Sequence, residues 1–286
     1  MNRNRKDLEN MAEITAALVG KLREMTNAGL MNCKKALTEA EGDLEKAVDI
    51  LRKSGAASAA KRASRDANEG SIALAIKDGG KFAVLVEVNC ETPLVPRNEL
   101  FQQFCAQMAQ RYLENENPDV EAEREAIVAK IGENIKIGRV VRWAATENGL
   151  INGYVHHDTR KGVIVEVGVE KNDTLANPVV ALLAKDLSIQ CVAFPPLSTR
   201  REEVPADVVE REKAIAREQM AGKPEKVIEG IVKGKLNKFF EGVCLVDQLF
   251  YKDQNISCQA YADSVGKELN DKLSIRRFSR LAVGEN

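Results

Sequence analysis

Cysteine and histidine are the side chains through which this chain could do covalent chemistry: Cys33, Cys90, Cys105, Cys191, Cys244 and Cys258, with His156 and His157. Their spacing supports little of it. No cysteine pair has the CxxC separation of a closed sulfur site for zinc, so no metal is expected. Residues 1–10 have no apolar core of a secretory signal, so the thiols are expected to be buried and reduced. A Cys–His nucleophile pair, Cys90 with His156, is formally available, but sequence separation says nothing about proximity. No nucleophile elbow, phosphate loop or dinucleotide-binding glycine pattern stands where chemistry would need it, so no cofactor is expected.

The charge balance narrows the partners. Lys+Arg number 42 and Asp+Glu 43, a net charge of -1, which argues against a broad electrostatic grip on nucleic acid or an anionic membrane. The longest stretch free of charged residues lies between Asp186 and Arg200 and contains Pro195 and Pro196, so it cannot span a bilayer. The expected location is the cytoplasm.

The elements that would position these residues follow from periodicity. Ile14, Leu18, Leu22 and Met25 recur at helical spacing, and Asn27-Ala28-Gly29 breaks that helix. Leu30, Met31, Cys33, Ala36 and Leu37 mark a second helix. Asp43 is placed to cap a third, striped by Leu44, Ala47, Val48 and Leu51. Residues 12–53 therefore read as a three-helix domain. Residues 54–70 lack any large apolar side chain and read as a linker.

From Ser71 the period changes to two. Ile72, Leu74 and Ile76 alternate, Asp78-Gly79-Gly80 turns the chain, and Phe82, Val84, Val86 and Val88 return. Asn98 then caps a helix carrying Phe101, Phe104, Cys105, Met108 and Tyr112, and a further helix holds Ala126, Ile127, Ala129 and Ile131. Strands are expected around residues 140–143, from Leu150 to His157, and from Val163 to Val169, before a helix with Val179, Val180, Leu182 and Leu183. Val84-Leu85-Val86-Glu87-Val88 resembles Val163-Ile164-Val165-Glu166-Val167, Asn98 matches Asn177, and Glu91 matches Glu170. An α+β unit reads as duplicated, with one half at 71–136 and the other at 137–204 and 241–286. Pro205 opens a charged helix, Gly222-Lys223-Pro224 reverses it, and Ile228, Ile231, Val232, Leu236 and Phe239 stripe the return, a helical hairpin at 205–240. A helix pattern around Tyr261 to Leu273 and a strand from Ile275 to Val283 end the chain.

The stretch Leu22-Arg23-Glu24-Met25-Thr26-Asn27-Ala28-Gly29-Leu30-Met31-Asn32-Cys33-Lys34-Lys35-Ala36-Leu37 closely resembles the amino-terminal signature of the elongation factor Ts family. Glu87-Val88-Asn89-Cys90-Glu91-Thr92, Ile131-Gly132-Glu133-Asn134-Ile135, Tyr154-x-His156 with Arg160-x-Gly162, and Arg280 with Gly284-Glu285 follow in family order. The resemblance implies an α+β protein with an amino-terminal ubiquitin-associated-like (UBA-like) domain, a duplicated core with antiparallel sheets, and an inserted coiled-coil hairpin. It implies binding to elongation factor Tu, GDP-bound and nucleotide-free, and guanine nucleotide exchange without covalent chemistry. In the family a Thr-Asp-Phe-Val loop disturbs the magnesium and phosphate site of the partner.

Here that loop is Thr92-Pro93-Leu94-Val95. Pro93 has no carboxylate and no backbone donor, and Leu94 is a smaller, non-planar wedge. Pro93 and Pro96 are expected to hold the loop extended. Exchange is expected to be retained but weakened; the alternative is a factor that binds and stabilises elongation factor Tu with little exchange. Leu22, Leu30, Met31 and His156 match family contact positions, although apolar residues of a small bundle serve as core as readily as interface. Longer relatives continue past Gly284-Glu285 with a further helix.

Overall fold

The computed structural model describes residues 14–26, 28–219 and 224–285. The turn residues Asn27, Gly222 and Lys223 and the first residues of the chain, Ala12 among them, lie outside these. The chain opens with α1 (Ala16–Thr26), α2 (Leu30–Glu39) and α3 (Leu44–Arg62), then β1 (Glu69–Lys77), β2 (Phe82–Cys90), α4 (Glu99–Glu114), α5 (Glu121–Ile131) and β3 (Lys136–Ala144). It continues with β4 (Gly149–Val155), β5 (Lys161–Val169), α6 (Pro178–Ala193), α7 (Ala206–Glu218), α8 (Glu225–Val243), β6 (Leu249–Phe250), β7 (Asp253–Ser257), α9 (Cys258–Glu268) and β8 (Leu273–Ala282). The strands form sheets of order β1-β2-β3, β4-β5-β8 and β6-β7, and β5 runs antiparallel to both its neighbours. The class is α+β.

Two compact units emerge. One gathers residues up to 71 with 88–111 and 117–138; the other gathers 72–87, 112–116 and 139 onward.

In the first unit, Asp43 begins α3 by accepting the amides of Glu45 and Lys46 at 2.9 and 3.1 Å. Val19, Leu22, Cys33, Ala36, Leu37, Ala40 and Ala47 form the core of the helical module. The linker expected over residues 54–70 is helical as far as Arg62. Small residues there favour close helix approach over disorder: Gly55 and Ala59 are buried, and a Cβ on Gly55 would lie 3.6 Å from the Ala129 Cβ of α5.

In the second unit, β5 is buried on both faces. Val163, Val165, Val167 and Val169 join a core with Val180, Leu183 and Leu187 of α6 and Ala262 and Val265 of α9. Ile164, on the opposite face, packs with Ile72, Ala83 and Leu85 of the other sheet. Gly162 shares that face because a Cβ there would fall 2.5 Å from Ile72 Cγ2.

Strand β3 corrects the expected grouping, because residues from 137 onward were assigned to the second half. It closes the first sheet beside β2. Local alternation identifies a strand but not its partner, and here the partner arrives across two helices. The short sheet β6-β7 was not foreseen, and α9 begins and ends earlier than expected, with Leu273 opening β8.

The order of elements repeats along the chain. Each half runs hairpin, 3-10 turn, helix, helix and third strand, with α7, α8, β6 and β7 inserted between α6 and α9 of the second. Asn98 accepts the Leu100 amide at 2.9 Å and Asn177 the Val179 amide at 3.0 Å. Their φ/ψ pairs are -77/127 and -72/126.

Two buried glutamates repeat as well. Arg139 Nε donates to Glu87 at 2.7 Å, and Arg277 Nε donates to Glu166 at 2.6 Å. Arg139 Nη2 then reaches the carbonyl of Ala282, the last residue of β8, at 2.6 Å. Arg277 Nη2 reaches that of Ala144, the last residue of β3, at 2.8 Å. Each arginine thus neutralises the carboxylate of its own sheet and pins the third strand of the other.

Candidate partner-binding site

The connector from β2 to α4 begins with a carboxylate clamp. Glu133 accepts the amides of Glu91 and Thr92 at 3.1 and 2.9 Å and the Thr92 hydroxyl at 2.7 Å. Glu91 in turn accepts the Asn134 amide at 2.6 Å, and the Asn134 side chain, fully buried, donates to the Arg65 carbonyl at 2.7 Å. Two motifs about forty residues apart therefore meet at the root of the loop.

Beyond the clamp the chain turns. The Val95 amide lies 3.4 Å from the Thr92 carbonyl, and the Arg97 amide donates to the Leu94 carbonyl at 3.1 Å. The loop is therefore not extended, as its prolines suggested. Pro93 occupies the second position of a turn and Pro96 the second position of the 3-10 turn Val95–Arg97, and both places suit a fixed φ near -65°. Val95 is buried, while Thr92 and Pro93 are exposed and Leu94 is 72% exposed. The result is an apolar side chain held outward between two fixed ends. It carries no titratable group at its tip, so it can displace or press but cannot transfer a proton.

The other predicted contacts divide. Leu22 is fully buried in the helical core, so its role is packing; Leu30 and Met31 on α2 are 53% and 73% exposed. Met25, read as part of the apolar stripe, is also exposed. His156 is half-buried, with Nδ1 3.3 Å from the Tyr154 hydroxyl and its ring 4.2 Å from that of His157. Its amide donates to the Lys161 carbonyl at 2.9 Å, closing the turn that carries it.

The cysteines take no such part. All six are buried, and Cys90 donates to the Thr92 carbonyl at 3.4 Å. Burial pushes the Cys105 and Cys258 thiols up to about 12, where a reactive thiolate is inaccessible. Among the described residues no cluster of His, Cys, Asp or Glu could hold a metal ion, and no helix is long and apolar enough to cross a membrane.

Sequence reasoning quoted Glu133 within a motif but gave it no role. Its signal was the repeat: Asp271 precedes β8 as Glu133 precedes β3, and accepts the Lys171 amide at 3.1 Å at the root of the second connector.

Residues 91–285 match the family model described as Elongation factor TS. Over 284 residues the chain is 40% identical to the Elongation factor Ts of Symbiobacterium thermophilum, spanning 96% of this chain and 93% of that protein. It is 39% identical over 290 residues to that of Trichlorobacter lovleyi, spanning 95% and 93%, and 39% over 293 residues to that of a Nostoc species, spanning 96% and 94%. On the length and coverage of these matches, the chain belongs to the elongation factor Ts family of translation elongation factors.

Proposed function

We propose that this chain binds elongation factor Tu in the cytoplasm, both GDP-bound and nucleotide-free, and promotes GDP release and exchange for GTP by disturbing the magnesium and phosphate site of that partner. No bond is made or broken. A factor of this kind acts by holding the nucleotide-free partner more tightly than the GDP form, because a ligand that binds both equally shifts nothing. GDP is held by backbone amides around its phosphates and by magnesium, so distorting that cradle releases it without contact to the nucleotide.

The observation that carries this reading is Leu94, outward on a turn clamped at Thr92 and anchored by buried Val95. Leu30 and Met31, exposed on α2, supply a second apolar contact, and His156 a polar one. We read α1, α2 and α3 as a UBA-like module, and α7 with α8 as an antiparallel coiled-coil hairpin in which Ala216 and Val232 are buried. Leu94 is a poorer wedge than an aromatic ring, and Pro93 lacks the expected carboxylate, so exchange is slower than an acidic-aromatic tip would give.

That same chemistry favours the second reading, a binder that stabilises elongation factor Tu with little exchange. Release of labelled GDP from elongation factor Tu separates them. Acceleration that saturates with added protein is expected; binding in a pull-down without acceleration supports the second reading, and the absence of both binding and acceleration would defeat both.

A further inference from the structure

We propose that Glu133 is a positioning residue for GDP release, acting on the partner through the loop it clamps; this rests on the exchange reading above. A wedge works only if it holds its place while the partner pushes back. An unpinned connector would yield by rotating its own backbone, and the binding energy would go into ordering the loop instead of distorting the partner.

The geometry assigns the pinning to Glu133. Its two carboxylate oxygens take three donors, the amides of Glu91 and Thr92 and the Thr92 hydroxyl, all within three residues of Leu94. Charge-assisted bonds to a carboxylate are the stronger class, and three of them fix both position and orientation. Glu133 is itself held. It follows Gly132, which ends α5 with φ 85° and donates its amide to the Val128 carbonyl at 2.8 Å. On its other side the Asn134 amide donates to Glu91 at 2.6 Å. Glu91 and Glu133 therefore each accept from the backbone segment of the other, a reciprocal staple between the loop root and the turn before β3. The Arg124 guanidinium, bonded to the Ile135 carbonyl at 3.2 Å, secures the far side of that turn.

The second half offers an internal control, because Asp271 clamps the equivalent connector at Lys171 and that connector carries no exposed apolar tip. The experiment compares Glu133→Ala, Glu133→Gln, Thr92→Val and Asp271→Asn in the full chain. It reads the limiting rate of GDP release at saturating protein, the affinity for nucleotide-free elongation factor Tu, and hydrogen exchange of the Glu91 and Thr92 amides.

Glu133→Ala is expected to lower the limiting rate about tenfold while affinity changes by less than about threefold, the split that loss of positioning produces. Glu133→Gln, which keeps one acceptor oxygen, and Thr92→Val, which removes one of the three bonds, fall between. Asp271→Asn leaves the rate unchanged. Should Glu133→Ala not fold, the Gln and Val variants carry the same test. An unchanged rate in the Glu133 variants, or an equal fall in Asp271→Asn, overturns the proposal. If the wild-type chain gives no acceleration at all, the exchange reading fails by itself. The clamp is then judged on amide exchange: faster exchange at Glu91 and Thr92 in the Glu133 variants supports it, and unchanged protection overturns it.

Discussion

The two connectors that follow the hairpins are the same length and begin and end alike, yet they present opposite surfaces. The first, from Glu91 to Asn98, turns Leu94 outward and buries Val95; the second, from Glu170 to Asn177, exposes Asp173 and tucks Leu175 against the core. Both are clamped at the root by an acid from the turn before the third strand, and both end on an asparagine that caps the next helix. The frame is thus common to both halves, and the difference lies in which side chain the frame holds out. Duplication supplies two rigid platforms; only one carries a tip suited to an apolar contact.

The comparison is sharpest where the halves should behave alike. Glu87→Ala and Glu166→Ala each remove a buried carboxylate and leave a partly exposed arginine without its partner, so each is expected to lower stability by about 2 kcal/mol. Urea unfolding measures both, and a loss in only one would show that the halves are not energetically equivalent. The next effect is where they should differ. Leu94→Ala is expected to slow the limiting GDP release roughly tenfold or more, because it removes most of the apolar area at the tip of the first connector. Asp173→Ala, at the second tip, leaves the rate unchanged. A smaller gain is expected from Pro93→Asp combined with Leu94→Phe, which raises release about severalfold through a larger planar wedge. An unchanged rate would mean that the tip does not limit exchange.

The smallest effect concerns acid. Burial alone would raise the Glu166 carboxyl, but the Thr146 hydroxyl and amide and the Arg277 guanidinium override it and hold the group below its ordinary value of 4.5. A depressed carboxyl contributes stability above its unfolded value and loses it as the pH falls through the folded one. Glu166→Gln is therefore expected to flatten the loss of stability below about pH 4.5, read by thermal unfolding across that range.

Much of the frame was legible in the sequence, because local chemistry governs it. Asp43, Asn98 and Asn177 cap helices as their types require, and the repeated Val-rich strands of each half fold alike. What was illegible depends on distant neighbours. Leu22 and Met25 sit on one apolar stripe, yet the first is buried and the second exposed, because the bundle covers only part of that face. The alanine-rich continuation of α3 looked like a linker because it has no large side chain, whereas its small residues are what the approach of α5 requires. Glu133, Arg139 and Arg277 act across wide sequence gaps, and no local pattern marks their partners.

The proposed exchange depends on Leu94, held outward on its clamped turn. Release of labelled GDP from elongation factor Tu at saturating concentrations of the wild-type chain and of Leu94→Ala tests it most directly. Acceleration by the wild type is expected, with a limiting rate about tenfold lower for the variant and binding to the partner retained. Equal limiting rates for the two chains would contradict it.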